Sequence, residues 1–288
     1  MNESNQEQLY IPTPAALAAA ETAKQRVQAA YTIALKNPRN QDRARQNILA
    51  ACKRPGFAEK AEFKKPVGGG NIVGPSIRFA ELALREWGNV MSDIFITYED
   101  REVRRLKIII TDLETNTQFT KEVSVQKTVE RKSKAGREVI GERINTNGDK
   151  VYIVSATEDE LSNKESAMVS KAVRNEGLRL IPTDITEEAL EACRQTVKSA
   201  DKKDPDAARK KLIDSFAGLG IRVSDLEKYL GHSTTRITPA EIADLRTVYQ
   251  TIKDGEAKWE DYIADQEKKT PTMPEADAET VDQIGGAK

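Results

Sequence analysis

The sequence predicts an α+β fold: N-terminal helices, an antiparallel β-meander packed with helices, then a small all-α C-terminal domain. Three observations predict it. Apolar residues recur at helical spacing up to Cys52, they alternate in strand fashion from Ile94, and helix start signals return beyond Asp206. The length of 288 residues accommodates about two domains of roughly 150 residues each.

Thr13-Pro14 supplies a capping hydroxyl and a proline at the first helical position, ahead of a helix to Leu35 that carries Leu17, Ala20, Ala23, Val27, Tyr31 and Ala34 at helical spacing. Asn37-Pro38 stops it. A second helix, about Gln41 to Lys53, sets Ala44, Ile48, Leu49 and Cys52 on one side before Pro55-Gly56 breaks the pattern. Both read as packing or assembly helices. Gly68-Gly-Gly-Asn-Ile-Val-Gly-Pro75 reads as a mobile glycine loop feeding a helix from Pro75 to Trp87, with Gly88 just past its end. The Gly-Lys-Ser/Thr ending of a phosphate loop is absent, so nucleotide binding is not expected there.

Ile94 to Tyr98, Val103 to Thr111 and Phe119 to Val125 read as the strands of the meander, with Asp112-Leu-Glu-Thr-Asn116 as a turn. From Gln126 to Asp149 the chain is polar, with Gly136, Gly141 and Asn147-Gly148, and it returns as a strand over Val151 to Ser155. A long hairpin arm and a partly disordered finger both fit this pattern. Ser162-x-x-Glu165 is a capping box for a helix to about Glu176, with Gly177 as its stop. On that helix Ala167, Met168, Ala172 and Val173 form an apolar stripe, while Lys164, Lys171 and Arg174 share an adjacent face.

A further helix from Thr186 to Val197 leads into a charged, proline-containing stretch. Beyond it, Asp206 to Phe216, Ser224 to Leu230 and Thr238 to Ile252 read as helices, two of them opened by Ser224-x-x-Glu227 and Thr238-Pro239-x-Glu241. Trp259 and Tyr262 would close their core. The expected organisation is a helical assembly region over 1–66, an α+β core over 67–198, a linker over 199–206, a helical module over 207–266 and a disordered acidic tail over 267–288.

Net charge of -1 removes any whole-chain basic excess, so a nucleic-acid surface has to be local. Local basic clusters exist: Lys53, Arg54, Lys60, Lys64 and Lys65, then Lys121, Lys127, Arg131, Lys132, Lys134 and Arg137, against an acidic end with Glu275, Asp277, Glu279 and Asp282. Cys52 and Cys193 lie far apart and outside any Cys-x-x-Cys pair, which reads as two ordinary reduced thiols. No apolar run approaches the roughly 20 residues of a membrane helix, and the start lacks a signal-peptide pattern, so a cytoplasmic protein with no membrane partner is expected.

No catalytic constellation stands out. His232, the single histidine, follows Gly231 in a helix connection and suits a cap or packing role. Asp112 and Glu114 on a strand turn lack a clustered third ligand for magnesium. Glu62-Phe-Lys64 is similar to the Glu-x-Lys of metal-dependent nucleases but has no acidic residue on a preceding strand. A metal-dependent DNA nuclease is therefore a runner-up, and a non-catalytic assembly or adaptor protein is another.

Gly74-Pro-Ser-Ile-Arg-Phe-Ala-Glu-Leu-Ala-Leu-Arg-Glu-Trp-Gly-Asn89, followed by the meander, the basic segment and the closing helix, resembles the single-strand annealing proteins of the RecT, Redβ and Erf superfamily of phages, over about Gly68 to Pro182. The helix from Ala167 to Gly177 is also similar to the closing helix of the eukaryotic annealing domain, where a Lys-Arg pair and a following Arg line the DNA groove. That resemblance carries the lysine role to Lys171 and the later arginine role to Arg174; the other half of the pair falls on Ala172 or Ser170. The block from Leu219 to His232 and on to Trp259 resembles a terminal helical module of phage annealing proteins, which implies docking of a host single-strand-binding protein or a partner exonuclease.

The function so implied is ATP-independent binding of single-stranded DNA and annealing of complementary strands in phage recombination, through an annealed duplex intermediate and in a homo-oligomeric ring or filament. No cofactor is expected, with magnesium at most a modulator. Annealing needs the backbone neutralised and base edges left open, and pairing then reads the sequence. The expected DNA-binding residues are Lys171 and Arg174 along the helix, Lys127, Arg131, Lys132, Lys134 and Arg137 as a clamp, and Lys164 and Arg179 beside them. Arg222, Lys228, Tyr229 and Arg236 are the candidate partner-binding residues of the module. Tyr98, Phe119 and Tyr152 are either stacking platforms or core.

Overall fold

The first helix, α1 (Pro14–Lys36), starts as its sequence predicts: the Thr13 hydroxyl accepts from the Ala16 amide at 3.2 Å and Pro14 occupies the first turn. This computed structural model describes residues 13–67, 70–134, 136–145 and 148–269. Only Ala34 of α1 is buried, so tertiary packing contributes little to it; the helix is tethered by an Arg26–Asp93 ion pair and a 2.7 Å bond from the Tyr31 hydroxyl to Asn116. Helix α2 (Gln41–Cys52) is capped by Asn40 and buries Ala44, Ile48, Ala51 and Cys52, and the short α3 (Pro55–Ala58) follows.

Where a mobile glycine loop was expected, the chain forms an antiparallel hairpin, β1 (Glu62–Val67) with β2 (Gly70–Pro75). Two contacts explain the difference. The Phe63 ring is buried across from Gly74, where an added Cβ would come within 3.2 Å of it, and the Lys64 amide donates to the Thr251 hydroxyl at 2.8 Å. A partner 187 positions away is invisible to local sequence reading. Residues 68 and 69 lie outside the described residues.

Helix α4 (Ile77–Trp87) is capped by the buried Ser76, whose hydroxyl accepts from the Phe79 amide and donates to the Lys60 carbonyl at 2.5 Å. The meander then forms as expected: β3 (Val90–Glu99), β4 (Val103–Asp112) and β5 (Gln118–Gln126) pair antiparallel in the order β3-β4-β5. Of the two readings of 126–149, the hairpin arm is the one observed. Strands β6 (Thr128–Arg131), β7 (Val139–Ile144) and β8 (Lys150–Ser155) make a second antiparallel sheet, ordered β6-β8-β7, with residues 135, 146 and 147 outside the described set.

Helix α5 (Glu158–Leu178) begins earlier than expected, because the capping box is Thr157 with Glu160 rather than Ser162 with Glu165. Gly177 does not stop it. That glycine is buried inside the helix, and a Cβ there would lie 2.6 Å from Leu84 Cδ1, so its role is the close approach of α5 to α4 rather than a left-handed turn.

Helix α6 (Thr183–Lys203) runs straight through most of the expected linker 199–206, and α7 (Pro205–Ala217) starts after Asp204, whose carboxylate caps it from 2.9 Å. Then follow α8 (Val223–Leu230), a 3-10 turn at Thr234–Arg236, α9 (Pro239–Lys253) and α10 (Trp259–Lys269). At α8 the expected Ser224–Glu227 box is replaced by Arg222 with Asp225, since Glu227 instead accepts from the Thr234 amide at 2.9 Å. The tail beyond 269, expected to be disordered, lies outside the described residues.

Three cores result. One joins α2, α4 and α6 around Ile48, Phe79, Trp87 and Cys193; a second lies between the meander and α5 around Leu106, Ile108, Ile110 and Leu161; a third, around Phe216, Leu226, Leu245 and Tyr262, holds the C-terminal helices together. That last module is not tethered by a linker but docked on the rest. Asp201, in the last turns of α6, forms a bidentate bridge to Arg246 at 2.6 and 2.8 Å, Tyr262 donates its hydroxyl to the Lys64 carbonyl, and Lys64 also pairs with Asp244.

Candidate nucleic-acid interface

The alternation in β4 decides which side chains the meander offers to solvent. Leu106, Ile108 and Ile110 point into the core against α5, so Arg105 and Lys107 stand on the opposite face. Register places Tyr98 opposite Arg105 and Phe95 opposite Lys107, and cross-strand partners share a face. Phe95 and Tyr98 are 52% and 49% exposed, and the Arg105 guanidinium sits 5.3 Å from the Tyr98 ring centre. The Tyr98 hydroxyl donates to Asp100 at 2.8 Å, a bond that raises the phenol pKa. Phe95, Arg105 and Lys107 were missed by sequence reasoning, although the period-two pattern around Leu106 to Ile110 held the signal.

Several expected DNA contacts turn out to have partners within the protein. Arg174 is only 4% exposed: its guanidinium stacks 4.2 Å over Phe63 and pairs with the equally buried Glu256. Lys164 donates to the Gln126 and Thr128 carbonyls at 2.7 and 2.8 Å, stapling α5 to the junction of β5 and β6, and burial pushes its pKa down. Lys127 lies 2.6 Å from Glu99 and donates to the Asp100 carbonyl. Arg131 and Arg137 both bind Glu160, whose carboxyl is held at about 2 by the Thr157 amide and then by the two arginines. Burial withdraws Arg174 from any phosphate and the two carbonyls hold Lys164 inward, whereas Lys127, Arg131 and Arg137 each hold a carboxylate that a phosphate would have to displace, with Arg131 still exposed. These contacts fix the arm to the start of α5.

The other four expected cations do face solvent. Lys132 is paired with Asp149 at 2.7 Å but stays largely exposed. Lys134 approaches the Tyr152 ring at 5.0 Å, with Lys150 at 5.6 Å from the same ring. Arg179 stacks 4.0 Å over Phe119 and pairs with Glu176 at 2.7 Å. Lys171 is exposed and makes no ion pair among the described residues. Tyr152 and Phe119 are half-buried.

The candidate catalytic groups are engaged in structure. Asp112 is buried beside Arg39 at 2.8 Å and accepts the Glu114 and Thr115 amides, while Glu114 accepts from the Arg39 amide and from Asn89. Glu62 binds Arg194 at 2.7 Å. His232 bonds Glu241 at 2.8 Å, which raises its pKa and ties it to the Thr238–Glu241 capping box. Among the described residues no three His, Cys, Asp or Glu side chains cluster as metal ligands. Cys52 and Cys193 meet in the α2–α4–α6 core, where their hydrogen bond and burial push the Cys193 thiol up. Of the candidate partner residues, Arg222 is held by Asp225, Lys228 and Arg236 are exposed, and the half-buried Tyr229 packs on Trp259, burial raising its pKa to about 12.

Among the described residues no helix is long and apolar enough to cross a membrane. Comparison with protein-family models, curated proteins and solved structures finds no match to this chain.

Proposed function

We propose that this protein binds single-stranded DNA across the meander face and the arm, and anneals complementary strands without nucleotide hydrolysis. The observation that carries the reading is the outer meander face, where the exposed rings of Phe95 and Tyr98 stand opposite Lys107 and Arg105, together with the arm, where Lys134 and Lys150 flank Tyr152. A ring beside a cation suits single-strand binding, since a base stacks on the ring for about 1–3 kcal/mol while the cation meets the adjacent phosphate. No hydrogen-bonding pocket for a particular base is required, and base edges stay open for pairing. The resemblance to phage annealing proteins adds recombination in the bacterial cytoplasm as the setting.

Self-assembly belongs to the same reading. Strand β3 is a sheet edge with Ile94, Phe95 and Ile96 all about half exposed, and α1 displays Leu17, Ile33 and Leu35. An apolar edge strand beside a nearly unburied helix of 23 residues is a surface built for cover. The same surface would serve the adaptor reading, so annealing itself is the discriminating test. Two complementary dye-labelled oligonucleotides are mixed with the protein at low and near-physiological salt, without nucleotide or metal, and the products are sized. Faster pairing of intact strands is the expected result; unaccelerated pairing leaves the adaptor reading, and shortening of the strands when magnesium is then added establishes the nuclease.

A further inference from the structure

A groove of about 610 Å³ runs between α6 and α9. Its apolar lining includes Ala58, Val197, Pro239, Ala240 and Ala243, small side chains that leave room between the two helices. The three carboxylates at the groove are all neutralised: Glu59 by Lys211 at 2.6 Å, Glu62 by Arg194 at 2.7 Å, Asp201 by Arg246 at 2.6 Å. Lys198 and Lys202, one helical turn apart on the rim, are exposed and make no ion pair among the described residues. The groove is therefore apolar along its floor and positive at its edge, and calls for an occupant that is acidic with small apolar side chains.

We infer that the occupant is the chain's own C-terminal segment, residues 270–288. Three features select it. The first is composition: Met273-Pro-Glu-Ala-Asp-Ala-Glu-Thr-Val-Asp282 alternates carboxylates with alanines, so an extended backbone would set Ala276 and Ala278 on one face and Glu275, Asp277 and Glu279 on the other. Alanines fit the narrow floor and the acids meet Lys198 and Lys202. The second is position. Asp265 and Gln266, in the last turns of α10, lie beside Glu241 and Asp244 of α9, the residues that follow Ala240 and Ala243 in sequence and so stand about 100° round that helix from the groove wall. On a helix about 10 Å across that arc is roughly 9 Å, and an extended residue spans about 3.3–3.6 Å, so three or four residues suffice to cover it. The third is tethering: a segment joined so closely is present at an effective concentration on the order of millimolar, enough to fill a weak site.

The test places the photo-crosslinking residue benzoylphenylalanine at the exposed Ala240 in the full chain, irradiates dilute protein without nucleic acid, and maps the adducts by mass spectrometry. The expected adducts join position 240 to residues within 270–288 of the same chain. Their yield should fall about threefold or more with Lys198→Glu plus Lys202→Glu, with Glu275→Gln, Asp277→Asn and Glu279→Gln together, and when salt is raised enough to shrink the screening length to about 3 Å. Three results would overturn the inference: no adduct in 270–288, a yield indifferent to all three perturbations, or adducts that join two chains, which would give the groove to a second copy. Both lysines are solvent-facing, so circular dichroism of their variant serves as the folding control, and the outcome does not depend on any DNA-binding activity.

Discussion

Lys171 and Arg174 stand three residues apart on one helix and have opposite fates. Lys171 is exposed and unpaired among the described residues; Arg174 is sandwiched between Phe63 and Glu256. Lys171→Ala should reduce the salt slope of single-strand binding by about 0.7 and leave stability unchanged. Arg174→Ala strands a buried Glu256 and should cost about 3–5 kcal/mol of stability, read as a lower denaturant midpoint. A normal midpoint for Arg174→Ala with a reduced salt slope would return it to the DNA surface. On the meander face, Tyr98→Ala should weaken oligonucleotide binding by about 1–3 kcal/mol in an anisotropy titration, with little change in the salt slope, because a stack rather than a phosphate contact is removed. Equal affinity for the variant would take the ring out of the interface.

Contacts between elements test the packing of α5. Gly177 lets it approach α4, and Gly177→Ala would drive a methyl into Leu84; the expected loss is about 1–3 kcal/mol, partly restored by Leu84→Ala in the same chain. At its other end α5 holds the arm through Glu160. The Glu160 carboxyl sits at about 2 in the folded protein against an ordinary 4.5, so its contribution is complete above pH 4.5 and is lost as pH falls from 4.5 towards 2. Amides of the arm over 128–134 should therefore lose protection, measured against the intrinsic exchange rate at each pH, across that window, and Glu160→Gln should flatten the change. Unaltered exchange would mean that the arm is held by other contacts. The same element shows why basic runs misled: Arg131 and Arg137 look free in sequence because Glu160 is more than twenty residues away from each.

For the whole molecule, the docked module is the main departure from what the chain suggests. The buried bridge from Asp201 to Arg246, the Lys64 amide on Thr251 and the Tyr262 hydroxyl on the Lys64 carbonyl join it to the hairpin and α6. Core and module should therefore unfold in one transition by tryptophan fluorescence and far-ultraviolet circular dichroism, with Trp87 reporting one core and Trp259 the other. Two separated transitions would restore the linker view. Tyr262→Phe should lower the common midpoint by about 1 kcal/mol, the net contribution of one hydrogen bond.

Local chemistry was enough for the elements whose signals lie within a few residues. The Thr13-Pro14 and Thr238–Glu241 helix starts, the alternation of Leu106, Ile108 and Ile110 and the turn after Asp112 all stand where the sequence placed them, because caps, pleat and turns depend on neighbours in the chain. Tertiary structure alone decided which cations remain available. Arg174, Lys164, Lys127, Arg131 and Arg137 carry the same charge as Lys171 and Arg179, but folding brings carboxylates and carbonyls from distant elements onto them and leaves the others beside aromatic rings or open water. A charge is legible in sequence; its partner, when it comes from a distant part of the chain, is not.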